Sequence, residues 1–177
     1  MSKLIVVCGY PGAGKTTLAK RLSTELKIGC LHKDSLKENL YELENCSTLE
    51  ESVKLGIVSI KLLFALMEEN IKNKVDLIIE APFNFEEDQI FFKDLIKIYN
   101  IEFYCVICSV DEKIRQKRFV ERERHTAHHD TERLEKIDTE RYKPRRFDFS
   151  KMPERKIWID TSKSIDENLK EVLTIIK

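Results

Sequence analysis

Glycine is scarce in this chain: there are five among 177 residues, and three of them fall within residues 9–14. Long apolar runs are missing. None approaches the roughly 18 residues that span a bilayer, so no transmembrane helix is expected. The start MSKLIVVCG gives way to a glycine-rich loop too soon to read as a secretory signal. Charge of one sign is not in excess, since Lys plus Arg and Asp plus Glu both total 31. No global basic field therefore favours nucleic acid or a membrane surface. Cysteine comes in an odd count of five with no mark of secretion, which reads as reduced thiols in a cytoplasmic protein. Cys105 and Cys108 form a C-x-x-C, but FYCVICS is a strand pattern in which positions three apart face opposite sides. Metal or redox work is not expected there. Repeats, low-complexity tracts and linkers rich in Gly, Ser or Pro are also absent, so residues 1–177 read as one domain.

What is present alternates. Apolar, β-branched strand candidates are Lys3–Cys8, Gly29–His32, Asp76–Glu80, Glu102–Cys108 and Lys156–Ile159. Helical spacing covers Lys15–Leu26, Ser35–Leu43, Leu49–Asn73, Glu86–Tyr99, Asp111–Arg124, Glu132–Tyr142 and Ile165–Ile176. Apolar strands between helices predict βαβ units. The expected fold is a three-layer α/β/α sandwich around a parallel sheet of about five strands. Ligands in such sheets bind beyond the carboxyl ends of the strands.

The clustered glycines sit in VVCGYPGAGKTTLAKRL, where Gly9, Gly12, Gly14, Lys15 and Thr16 match G-x-x-x-x-G-K-T. Glycines let successive N–H groups turn inward as an anion nest, with Pro11, Ala13 and Thr17 completing the loop. Lys15 is placed to reach the β- and γ-phosphates, and the Thr16 hydroxyl to ligate Mg²⁺. A strand before the loop and a helix start beneath it supply the required context. The ligands implied are ATP and Mg²⁺.

Two acids stand at strand ends. Asp34, after the second strand in CLHKDSLKENL, is suited to accept a proton from a substrate hydroxyl or to hold a Mg²⁺-bound water. Its structural alternative is to cap a helix beginning at Ser35. Glu80 ends DLIIE, an apolar run closed by an acid as in a Walker B strand, where the acid supports Mg²⁺ through water; Asp is commoner there. Beyond it, Pro82, Phe83, Asn84 and Phe85 form a loop that either walls an acceptor pocket or packs into the core.

After the fourth strand, Arg115, Arg118 and Arg122 fall at offsets 0, 3 and 7, one stripe of a helix. Residues 111–146 hold 12 Lys plus Arg against 9 Asp plus Glu, and they read as a helical lid over transferring phosphoryl oxygens. The alternative is a solvated helix laced with Glu–Arg pairs. Within RHTAHHD, His125, His128 and His129 at offsets 0, 3 and 4 would share a helical face. Zinc is one use of that face, hydrogen bonds to ATP or substrate another, and simple solvation a third.

GYPGAGKTT, the Asp34 of HKDSL, RQKRFVERERH with its H-x-x-H, and IDTSKS together resemble the P-loop kinase group of small phosphotransferases. Chloramphenicol phosphotransferase, gluconate kinase, zeta toxins and polynucleotide 5′-kinase domains belong to that neighbourhood, and the likeness covers nearly the whole chain. The resemblance implies phosphoryl transfer from ATP to a hydroxyl. It gives Asp34 the general-base position, Arg118 and Arg122 the lid positions, and Asp160–Thr161–Ser162 the loop bordering adenine. Glu80 departs from the usual Asp.

A last absence constrains the acceptor. No arginine lies between Arg21 and Arg115, whereas gripping a nucleoside monophosphate calls for bidentate arginines. Residues 34–52 hold six Asp or Glu against one Lys, an acidic side that disfavours phosphorylated acceptors. The expected enzyme is an ATP-dependent kinase acting on an alcohol group of a small, non-phosphorylated compound, as a monomer or homodimer. The alternatives are a polynucleotide or nucleotide kinase, an ATPase switch acting on a protein partner, and a nucleotide-binding module without catalysis.

Overall fold

The computed structural model describes residues 1–130, 148–153 and 155–176. Strands β1 (Lys3–Gly9), β2 (Gly29–His32), β3 (Leu77–Glu80), β4 (Glu102–Ser109) and β5 (Lys156–Asp160) form one sheet in the order β2-β3-β1-β4-β5. Every pairing is parallel, with Val7 of β1 opposite both Glu80 and Val106. The helices are α1 (Lys15–Leu26), α2 (Lys33–Leu43), α3 (Leu49–Lys72), α4 (Glu86–Tyr99), α5 (Glu112–Glu121) and α6 (Ile165–Ile176). The expected three-layer α/β/α architecture is the observed one.

Side-chain alternation explains why the strands are apolar throughout. Leu4, Val6 and Cys8 of β1 face a core built with Leu63 and Met67 of α3 and Phe92 and Leu95 of α4. Ile5 and Val7 face the other way, onto Leu18 and Leu22 of α1 and Leu169 and Val172 of α6. A strand buried on both faces needs both sets of residues to be apolar. Cys105 and Cys108 separate onto these opposite faces, and all five cysteines are free thiols. No helix among the described residues is long and apolar enough to cross a membrane.

Helix ends follow local chemistry. Thr48 and Glu51 close a reciprocal capping box at the start of α3, and Asp111 accepts from the N–H groups of Lys113 and Ile114 at the start of α5. Two boundaries differ from expectation, and both matter below. The second helix begins at Lys33 with His32 as its N-cap, so Asp34 lies in the first turn and is not a cap. The helix expected to run to Arg124 ends at Glu121, and Arg122 is already extended at φ −78° and ψ 133°. Beyond that point the tertiary ion pairs of Arg124 and His125 outweigh the weak helical preference of a polar segment. The helix expected at Glu132–Tyr142 lies outside the described residues.

Gly9 joins β1 to the loop that follows. Its φ is +135°, and a Cβ there would lie 2.3 Å from the carbonyl oxygen of Cys108 on β4. Backbone cannot yield as a flexible side chain can, and the left-handed conformation adds strain. Gly9→Ala is therefore expected to cost on the order of 3 kcal/mol. In a chain of this size that corresponds to a melting temperature lower by about 6–12 °C, measurable by differential scanning calorimetry.

Candidate active site

The five strands deliver Gly9, His32, Glu80, Ser109 and Asp160 to one edge of the sheet. The loop 9–14 runs from the first of these to α1. Gly14 is the N-cap of α1 in left-handed conformation, no side chain caps the helix, and no acid stands in its first turn. Its first N–H groups and positive dipole end are thus left for an anion. Arg115 braces the loop from outside: its Nη1 donates to the Pro11 carbonyl at 3.0 Å, and its guanidinium lies over the Tyr10 ring.

Glu80 is the buried carboxylate at the centre, only 4% exposed. Thr16 Oγ1 donates to its Oε2 at 3.1 Å, His32 Nδ1 lies 3.2 Å from the same oxygen, and Lys15 Nζ stands 3.9 Å from Oε1. Lys15 itself is buried and donates to the Tyr10 carbonyl at 3.0 Å. The two residues that the sequence offers for Mg²⁺, Thr16 and Glu80, thus lie in direct contact. His32 was not singled out from the sequence, although its position at the end of the second strand was visible.

Thr161 ties three elements together. Its hydroxyl lies 3.0 Å from the Ala13 carbonyl and 3.2 Å from that of Ser109, and its N–H donates to Ser109 at 2.8 Å. Arg118 donates to Thr161 through Nη1 at 3.2 Å and Nη2 at 2.9 Å. Beside them opens a cleft of about 240 Å³ lined by Gly14, Thr17, Arg118, Thr161, Lys163 and Asn168, among others. Arg118 thus sits at the α6 side of the loop, away from Asp34.

The expected single arginine stripe is divided. Arg122 lies past the helix end, stacks over Phe119 at 4.6 Å, and has its Nε and Nη2 buried without a hydrogen-bond partner. Desolvation, followed by the nearby Arg124 charge, lowers its pKa, while Asp130, Asp34 and Glu80 pull the other way. A buried, unsatisfied guanidinium among these acids is a ready anion ligand.

Asp34 does not face open solvent alone. Arg124 Nη2 donates to its Oδ2 at 2.8 Å, and Lys33 Nζ lies 3.3 Å from its Oδ1. Arg124 also reaches both oxygens of Asp130, at 3.1 and 3.0 Å, and donates to His128 Nδ1 at 3.0 Å. The three histidines do not share a helical face. His125 caps a short 3₁₀ turn, Thr126–His128, and His129 follows in left-handed conformation. Each meets α2 instead: His125 with Glu42 at 3.0 Å, His128 with Glu38 at 2.7 Å, and His129 with the Tyr41 hydroxyl at 3.1 Å. No metal-binding cluster of His, Cys, Asp and Glu occurs among the described residues.

Two further expectations change. Five of the six acids of residues 34–52 are engaged, so the stretch does not present a free negative wall. Asp34, Glu38 and Glu42 are answered by Arg124, His128 and His125, while Glu50 pairs with Lys54 and Glu51 serves the capping box. Phe83 packs in the core against Phe64 and Phe92, whereas Phe85 is about half exposed.

Partial desolvation alone would raise the Asp34 pKa, but the groups around it, Lys33 foremost, outweigh it and lower it from 3.8 to about 2. A folded-state pKa below the unfolded one contributes stability that is present above about pH 4 and lost as pH falls toward 2. Asp34→Asn should therefore flatten the acid limb of a melting-temperature profile between pH 5 and 2. An unchanged acid limb would show that Asp34 gains nothing from its cations.

Comparison with known proteins places this geometry. Residues 4–144, most of the chain, match the family model AAA_33, described as an AAA domain. Curated proteins give no match. Among solved structures, a Chloroflexus aurantiacus protein described as an inferred kinase is 24% identical, covering 99% of each chain at a TM-score of 0.80. The shikimate kinase of Aquifex aeolicus is 19% identical over 98% of this chain and 94% of that one, at a TM-score of 0.56. The Mycobacterium tuberculosis APS kinase in complex with AMPPNP and APS is 18% identical over 98% and 96%, at 0.57. By its sequence the chain belongs to the AAA_33 family of AAA domains, and its fold is that of the P-loop kinases.

Proposed function

We propose that this protein is an ATP-dependent kinase that transfers the γ-phosphoryl group to a hydroxyl of a small, non-phosphorylated acceptor. The observation that carries the reading is the unpartnered, buried guanidinium of Arg122, set among Asp34, Glu80 and Asp130 at the strand ends beyond an uncapped helix N-terminus. Phosphoryl transfer asks the protein mainly for positioning and for cations where charge builds up.

The N–H groups of residues 12–16 hold the phosphates, and Lys15 swings from the Tyr10 carbonyl to the β- and γ-oxygens. Mg²⁺ takes hard oxygen ligands and one or two carboxylates. Thr16 and Glu80, in contact at 3.1 Å, supply such a set, with Asp34 as a further acid. An ion held there would supply charge neutralisation to the transferring phosphate. Arg118 and Thr161 border the base in the cleft over α6, and Arg122 neutralises the transferring oxygens as a lid residue. Asp34 accepts the acceptor's hydroxyl proton. The acceptor is taken as non-phosphorylated because, among the described residues, Arg124 is tied through Nη1 to Asp130 and through Nη2 to His128 whether or not it pairs with Asp34. Arg122 has buried N–H groups without a partner there, and the γ-phosphate needs it. The nucleotide in the APS kinase of the same fold is AMPPNP, which fits ATP as donor here.

An ATP-consumption assay over a panel of sugars, nucleosides, amino-sugars and shikimate-like alcohols tests the reading. One class should raise turnover well above the acceptor-free rate, whereas stimulation by protein partners only would identify an ATPase switch. On the active acceptor, Lys15→Ala should abolish turnover with the fold intact. Arg122→Ala should lower kcat by about 10³-fold with little loss of ATP affinity, the scale of a transition-state arginine. Equal losses in affinity and rate would make Arg122 a ground-state phosphate ligand.

A further inference from the structure

Resting on the kinase reading, the RHTAHHD segment has a use that the general scheme does not give it. Arg124 engages the proposed base directly, and it is held there by four contacts of its own: two to Asp130, one to His128 and one to Asp34. Because Arg124 donates to His128 Nδ1, the ring is neutral with its proton on Nε2, and that proton is given to Glu38. Burial likewise lowers the His128 pKa. The backbone between them is pinned as well. Ser52 on α3 donates to the Ala127 carbonyl at 2.6 Å, and the buried Lys37 on α2 donates to Ser52 at 2.7 Å. Arg124 is thus a fixed feature of the site, set by buried polar contacts to two helices, rather than a wandering surface cation.

We propose that Arg124 is a positioning residue that decides whether Asp34 serves an acceptor hydroxyl or water. A base paired through Oδ2 to a guanidinium and through Oδ1 to Lys33 has both oxygens engaged and a crowded approach. Displacing Arg124 from Oδ2 needs free energy from elsewhere. An acceptor molecule has other groups whose contacts supply it, so binding of the remote part is converted into assembly of the working site. A water molecule has no remote part and leaves the pair closed. Hydrolysis would follow the same course as transfer. Water's oxygen bonds to the γ-phosphorus, the bond from that phosphorus to the bridging oxygen breaks and leaves ADP, and water's proton passes to Asp34 and then to solvent. Pairing Asp34 with Arg124 until an acceptor arrives suppresses that waste.

The test needs no acceptor. Mg-ATP hydrolysis, Mg-ATP affinity by calorimetry and melting temperature are measured on the wild type, Arg124→Gln, Arg124→Lys and Arg124→Gln with Asp34→Asn. Arg124→Gln should raise acceptor-free hydrolysis about tenfold, part of the usual range of acid–base catalysis, with ATP affinity within about twofold. Arg124→Lys keeps one charge without the forked donors and should lie between, and it carries the test if the Gln variant does not fold. Adding Asp34→Asn should abolish the gain. A purely structural role for Arg124 lowers stability without raising hydrolysis, so an unchanged or reduced rate in a folded, ATP-binding variant overturns the proposal. A gain that survives Asp34→Asn overturns it too. Failure of the wild type to bind Mg-ATP would instead remove the kinase reading and this inference with it.

Discussion

A carboxylate buried to 4% exposure cannot stand alone, and the site is arranged around that fact at Glu80. The parallel register sets Glu80 beside Val7 on one side and His32 on the other, one strand short of the phosphate loop. Lys15 and Thr16 from the start of the first helix and His32 from the second strand then converge on it. The same contacts that satisfy the charge fix the loop against the sheet. They also leave both cationic and anionic groups within a few ångströms of the α1 N-terminus, where a triphosphate and a divalent cation can exchange partners with them. In the proposed kinase, structural satisfaction and ligand binding would use one set of atoms in turn.

The arginines show how position divides a uniform pattern. Arg115, Arg118 and Arg122 are spaced as one helical stripe, yet each meets a different surface. Arg115 braces the loop at Pro11, and Arg118 joins Thr161 to the cleft over α6. Arg122 escapes the helix because α5 stops at Glu121, which aims its guanidinium into the acidic centre instead of along the helix face. Ending the helix early costs a turn of backbone hydrogen bonds. The return is a short extended stretch that brings Arg122 and Arg124 onto the same side, two residues apart.

Sequence periodicity carried most of the architecture, because a strand buried on both faces must be apolar at every position and the helices between them keep a clean apolar stripe. The glycine-rich loop was legible for a different reason: Gly9 and Gly12 are demanded by backbone angles and close approaches that other residues resist. Thr161 was reached by resemblance alone, since a threonine in a polar turn carries no periodic signal. The Asp34–Arg124 pair was barely legible. It joins positions 90 residues apart, and an ion pair between distant elements leaves no trace in local spacing. A faint signal did exist. Asp34, Glu38 and Glu42 recur every four residues, so α2 presents an acidic ladder on one face, and RHTAHHD supplies cationic and neutral nitrogens to match it.

That ladder also changes how the acidic stretch is to be understood. Counted along the chain, six acids against one lysine describe a negative wall. Counted in space, the three that face the 124–130 segment are engaged by it, and what remains near the strand ends is a compact set of alternating charges. Net repulsion of a charged acceptor is then a weaker constraint than the shortage of uncommitted donors. Selectivity in such a site comes from which existing pair an incoming group can replace. Under the proposed function, a neutral alcohol would have to offer Asp34 one good hydrogen bond in exchange for Arg124, and the rest of its surface would have to make that exchange favourable. Discrimination between substrate and water would then be a competition against an internal ion pair, which shape and contact area can win and a single small molecule cannot.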